Sequence, residues 1–320
     1  VKIVCMGDAH YASLPFKSKF LKEKNKLFYT NIFSELFKEE ADIYISLGDL
    51  TNYGRKAHTR EVYSIINSCK RPDQRFVQVT GNHDLLAMTK ETYMEITGQK
   101  LYWTEENEEC KMIFLDTCKQ RHPGRSSSKL DWDQRLFLEE ELAKAGEKLT
   151  LIFAHHPPER VVFYDREGQV DGSVTMEDIL SKKKGRGVYI NGHLHKDKFY
   201  TKGQWAFLQF NDILDEPTIR ELVIENGKLE MRTRAIERPE IMEAAAQISR
   251  AILTFYRKRN DELYARVRDL KIFESRGGDG GDCSMDFVKL TSNPRFSKEA
   301  VSRLRSFVRF FKPGLSRVSS

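Results

Sequence analysis

Two periodicities divide the chain. Short apolar, β-branched runs at 1–6, 43–47, 76–79, 149–154 and 188–190 read as buried strands, because Val, Ile and aromatic side chains fit a pleated surface. Between them the apolar positions fall at helical spacing. Leu27, Phe28, Ile32, Phe33, Leu36 and Phe37 predict a helix within 17–40 behind a basic loop, and further helices are predicted near 60–69, over 128–145 with Gly146 as its stop, and near 175–183. Runs at 101–105 and 111–115, split by polar residues, predict a hairpin. The stretch 199–234, with Gly203 and Asn226-Gly227 turns, reads as an antiparallel meander. Strand and helix alternating in this way predict an α/β fold of repeated βα units whose strand ends meet along one edge.

The first domain is expected to end near 236. Beyond it, Ile241, Ala244, Ala245, Ile248, Ile252, Phe255 and Tyr256 trace one helical face, which Leu263, Val267 and Leu270 extend. A Gly/Asp-rich loop follows at 276–282, then a last amphipathic helix carrying Val301, Leu304, Val308 and Phe311. A basic, mainly helical extension over 237–320 is therefore expected. Its stripes suit packing on the main domain or on a second copy of the chain, as in a homodimer.

The charge sharpens this division. Of the net charge of +6, the whole comes from residues 237 onward, which carry 17 Lys and Arg against 11 Asp and Glu. The extension thus has a polyanion contact as one reading, nucleic acid included, and a solvated helical face as the favoured one, because acids are interleaved with the bases. Five scattered cysteines without a Cys-x-x-Cys argue against a disulfide framework or a thiolate zinc site. No apolar run approaches the ~20 residues of a membrane span. The chain opens at Val1 inside a strand, which is compatible with a removed export signal; a cytoplasmic place is the expectation.

The chemistry lies at the strand ends. Gly7-Asp8-Ala9-His10 follows the first strand, Gly48-Asp49-Leu50-Thr51-Asn52 the second, and Gly81-Asn82-His83-Asp84 the third. His155-His156-Pro157-Pro158 and Gly192-His193-Leu194-His195 close two later strands. An acid and an imidazole two residues apart on an extended segment project to one side and can share a cation. Carboxylates, an amide oxygen and imidazoles with no thiolate suit Mn, Fe or Zn.

These five motifs, in this order, resemble the calcineurin-like metallophosphoesterase superfamily over roughly residues 1–236. The resemblance implies a four-layer α/β/β/α sandwich and a dinuclear metal centre. Asp8, His10 and His195 would hold one ion, Asn82, His155 and His193 the other, and Asp49 would bridge them. A hydroxide shared by the ions would attack phosphorus in line. The resemblance further implies that His83 donates to developing charge with Asp84 orienting it, and Tyr11, Asn52 and His156 adjoin the motifs as candidate substrate contacts. The chain lacks the Asp-Arg-Gly of protein phosphatases after Gly48-Asp49. Its spelling is closer to the branch of class III cyclic-nucleotide phosphodiesterases and glycerophosphodiesterases, although that branch commonly has Asp where this chain has Asn52. The expectation is a phosphodiesterase acting on a small phosphoester. A phosphomonoesterase or nucleotidase, a nuclease, or a partner-binding scaffold are the alternatives. His58 and His122 lie outside the motifs and are expected at the surface.

Overall fold

The computed structural model describes residues 1–14, 18–121, 128–252 and 270–273. Two six-stranded sheets carry the architecture. The first has β1 (Lys2–Met6), β2 (Ile43–Ser46) and β3 (Phe76–Gln78) side by side and parallel. It is extended by antiparallel β10 (Thr218–Glu225), β11 (Lys228–Ala235) and β12 (Leu270–Phe273), in the order β12-β11-β10-β1-β2-β3. The second holds β4 (Trp103–Glu106), β5 (Cys110–Phe114), β6 (Leu149–Phe153), β7 (Gly187–Asn191), β8 (Lys198–Lys202) and β9 (Trp205–Gln209), in the order β4-β5-β6-β7-β9-β8.

Period-two alternation builds the layers. On β1, Ile3 and Cys5 face the second sheet, where they join Ile45, Met112, Leu151, Val188 and Leu208 in one apolar cluster. Val4 and Met6 turn the other way, onto α1 (Lys19–Leu36), α2 (Lys56–Cys69) and α6 (Pro239–Ala251). On the far side Ile113, Ile152 and Tyr189 pack against α4 (Trp132–Ala145) and α5 (Met176–Ser181). Both faces of both sheets are covered, which is why the central strands are apolar without interruption. The result is the expected α/β/β/α sandwich.

Four local expectations are corrected. The stretch 199–234 is not one meander: β8 and β9 form a hairpin in the second sheet, with β9 parallel to β7, whereas β10 and β11 cross to the first sheet beside β1. Asp131 caps α4 through its side chain, so that helix starts at Trp132 rather than 128. The basic stretch before Leu27 is already α1, opened by the Ser18 cap, and Leu27 itself is exposed while Tyr29 is buried. Leu270 begins a strand rather than continuing a helix. A short helix, α3 (Lys90–Thr97), is additional.

The helical stripe after 238 packs on this unit, since Ile241, Ala244, Ala245 and Ile248 join the core of α1. The predicted loop at 276–282 and helix at 301–311 lie outside the described residues. No helix among the described residues is long and apolar enough to cross a membrane.

Candidate metal centre

Parallel strands bring their C-terminal ends to one edge, and each end turns sharply into the site. His10, Asp49, His193 and His195 all have positive φ, at 49°, 47°, 71° and 53°. Each such residue costs of order 1–3 kcal/mol, and four of them in one place mark a site that its surroundings force into shape. Glycines make room for the approach. A Cβ on Gly48 would lie 2.5 Å from Nδ1 of His155, and one on Gly192 would lie 2.1 Å from Oδ1 of Asp8. Backbone bonds tie the loops together: the amides of Ala9 and His10 donate to the Asp49 carbonyl, and the His193 amide donates to the Asp8 carboxylate.

Seven side chains converge in two groups. In the first, Nε2 of His10 lies 2.9 Å from Nε2 of His195, which is 3.2 Å from Oδ2 of Asp8. In the second, Oδ1 of Asn82 is 3.0 Å from both Nε2 of His155 and Nδ1 of His193, themselves 3.2 Å apart. Oδ2 of Asp49 stands between them, 3.9 Å from Nε2 of His10 and 3.3 Å from Nε2 of His155. Donor atoms bound tetrahedrally at ~2.1 Å lie roughly 3.4 Å apart, so both groups have the spacing of a cation's coordination shell. Nitrogen facing nitrogen at 2.9 Å fits a shared cation, with oxygen and imidazole donors of the type that first-row ions take. The sequence-derived ligand set, Asp8, His10, Asp49, Asn82, His155, His193 and His195, is therefore brought together as two triads about one carboxylate.

The electrostatics follow from burial and two acids. Burial would raise Asp49, but His155 and His83 beside it hold its carboxyl well below the usual range. Burial likewise opposes charge on His155, yet Asp49 and Asp8 raise it to about 10; His195 is raised to about 9, with Asp212 and Asp8 overcoming its burial. His10 is lowered by burial and by His195, and His193 is lowered to about 3 by burial and by His155. The carboxylates thus already stabilise positive charge in the pocket.

The remaining candidates surround the two triads. His83 is partly exposed, its ring 4.8 Å from that of His10 and its amide on Oδ1 of Asp49. Its Nδ1 donates to the carbonyl of Asn52 at 2.8 Å, not to Asp84. Both oxygens of Asp84 are engaged elsewhere, by the amides of Leu50, Thr51 and Gly81, the Thr51 hydroxyl and the Gln78 amide. Burial, with Asp49 nearby, raises Asp84 to about 6, and its five donors pin the loops after β2 and β3. Asn52 and His156 are buried beside the two triads. Asn52 joins His10, its Oδ1 lying 3.0 Å from Nδ1, to His83. His156 lies under His193, ring centroids 4.3 Å apart, with its Nδ1 3.0 Å from the Thr117 hydroxyl. Tyr11 donates its hydroxyl to Glu61 on α2. His58 is buried in the first turn of α2 rather than at the surface, and His122 lies outside the described residues.

One further group was missed. Asp212, fully buried in the loop after β9, places Oδ2 3.7 Å from Nδ1 of His195. It too follows directly on a strand, in Phe210-Asn211-Asp212, and the strand-end rule that found the other acids would have found it.

A fold and site of this kind define a metal-dependent phosphoric ester hydrolase. The calcineurin-like phosphoesterase family model matches residues 1–197, and the chain belongs to that family. Over 207 residues it is 28% identical to a probable glycerophosphodiester phosphodiesterase of Arcobacter nitrofigilis, covering 61% of this chain and 71% of that one. A glycerophosphodiester phosphodiesterase of Enterobacter lignolyticus is 24% identical over 127 residues, 38% of this chain and 44% of that one. Among solved structures, a dimetal phosphatase from Danio rerio shares the fold with a TM-score of 0.57 at 11% identity, covering 73% of this chain and 96% of that one.

Proposed function

We propose that the chain is a dinuclear phosphodiesterase in which Asp8, His10 and His195 hold one cation, Asn82, His155 and His193 a second, and Asp49 both. The observation that carries this is the single carboxylate oxygen of Asp49 within 4 Å of a donor nitrogen from each triad. When bound, Mn, Fe or Zn ions would lower the pKa of a water and offset charge on the phosphoryl oxygens.

The chain's own residues do the rest. The Asn52 carbonyl keeps the Nδ1 proton on His83, so Nε2 carries a proton only in the imidazolium. In that form His83 gives charge, or the proton itself, to the leaving oxygen. Asn52 and the Leu47 carbonyl keep the outer nitrogens of His10 and His155 protonated, which puts the lone pair for a cation on their inner Nε2 atoms.

Preference for a diester is supported by the Gly48–Asn52 and Ala154–Pro158 spelling and by the glycerophosphodiester phosphodiesterases among the relatives. The full chain loaded with manganese is expected to hydrolyse bis-p-nitrophenyl phosphate with a higher kcat/KM than p-nitrophenyl phosphate. The reverse order would make it a phosphomonoesterase, and turnover of neither that survives Asp49→Asn controls would remove the enzymatic reading.

A further inference from the structure

Asp212 is a carboxylate with one oxygen fully used and one not. Oδ1 accepts from the amides of Leu214 at 3.0 Å and Asp215 at 2.7 Å. Oδ2 is buried and has no hydrogen-bond partner among the described residues. An ionised oxygen in that state is unfavourable unless a positive or proton-bearing group faces it. The group that faces it is the outer nitrogen of His195, at 3.7 Å, an ion-pair distance just beyond a hydrogen bond. The loop is fixed against the site independently, because the amide of Ile213 donates to the Asp8 carbonyl at 3.0 Å.

Two other ligand histidines give the contrast. His10 and His155 turn their outer nitrogens to neutral oxygens, those of the Asn52 side chain and the Leu47 backbone. His195 turns its own to a carboxylate. A carboxylate behind an imidazole fixes which nitrogen holds the proton, orients the ring and makes the opposite nitrogen a stronger donor to a cation.

We propose that Asp212 is a positioning residue: it takes the Nδ1 proton of His195 in a hydrogen bond and so keeps Nε2 as the cation-binding atom of the Asp8–His10–His195 triad. This rests on the dinuclear reading above, which assigns that triad but gives Asp212 no part.

The test is Asp212→Asn in the full chain, read by zinc binding. Asparagine keeps the oxygen that serves Leu214 and Asp215 but sets an amide N–H₂ against Nδ1. Donor then meets donor, and the ring relieves this by moving its proton to Nε2, the atom that has to bind. Competition with a chelator is expected to show one of two zinc ions weakened about 10–100-fold, the other holding its wild-type affinity. In the zinc-loaded wild type, the ¹⁵N spectrum of His195 should show Nδ1 protonated and Nε2 metal-bound, and the variant should lose that pattern. Wild-type affinity for both ions in the variant overturns the proposal. Should the variant not fold, the wild-type spectrum decides alone: a protonated Nδ1 upholds the role and a bare Nδ1 overturns it. A wild type that binds no zinc and hydrolyses no ester overturns this proposal together with the hydrolase reading; one that does both, beside an unaltered variant, overturns this proposal only.

Discussion

Asp84→Asn separates a structural account of the site's third loop from a catalytic one. Asp84 accepts five hydrogen bonds at 2.8–3.3 Å and is buried. Asparagine in the same rotamer keeps the oxygen that serves the amide and hydroxyl of Thr51. It places an N–H₂ where Oδ2 now receives the amides of Leu50 and Gly81 and the side chain of Gln78. Gln78 is not free to turn over, because its Oε1 accepts the hydroxyl of Tyr63 at 2.8 Å. Two buried backbone N–H groups are then unpaired, at about 1–3 kcal/mol each, giving a loss of about 2–6 kcal/mol. Urea denaturation of the full chain, compared at equal slope, measures this as a lowered midpoint. A variant with wild-type stability and a selective fall in kcat would refute the reasoning and return Asp84 to the role of orienting His83.

Three other perturbations probe different parts of the account. Gly192→Ala puts a methyl group 2.1 Å from Oδ1 of Asp8, so metal content and turnover should fall together, by at least tenfold in kcat/KM, with the midpoint of unfolding shifted less than for Asp84→Asn. Asn52→Leu leaves both triads complete but removes the acceptor behind His10; a 10–100-fold weaker affinity for one ion, measured by chelator competition, is expected. Burial lowers the pKa of His58, so below about pH 6.5 the unfolded chain binds a proton that the folded chain resists, and stability falls as pH falls. In His58→Gln this contribution is absent, and unfolding midpoints between pH 5 and 7 should depend less on pH than in the wild type.

The strands and the donor set were legible because one physical rule covers both. A buried strand reads as an apolar run, and where it ends the first polar residues must face the sheet edge, which is where Asp8, Asp49, Asn82, His155 and His193 stand. What lay hidden depends on pairing or burial that no local pattern encodes. The apolar alternation of β8 to β11 shows strands but not which sheet each joins. Helix α3 buries only Tyr93, too thin a stripe to register as a periodicity. Asn52, His156 and Asp84 were each recognised as belonging to the site, but adjacency in sequence suggested contact with substrate or with His83. The folded loops turn all three inward, onto His10, His193 and the backbone.

The most direct test of the central claim is the anomalous scattering of a manganese- or zinc-loaded crystal of the full chain, which locates the ions without assuming any activity. Two peaks about 3.5–4 Å apart, one on each side of Oδ2 of Asp49, are the predicted result. A single peak, or two that do not share Asp49, would contradict the account.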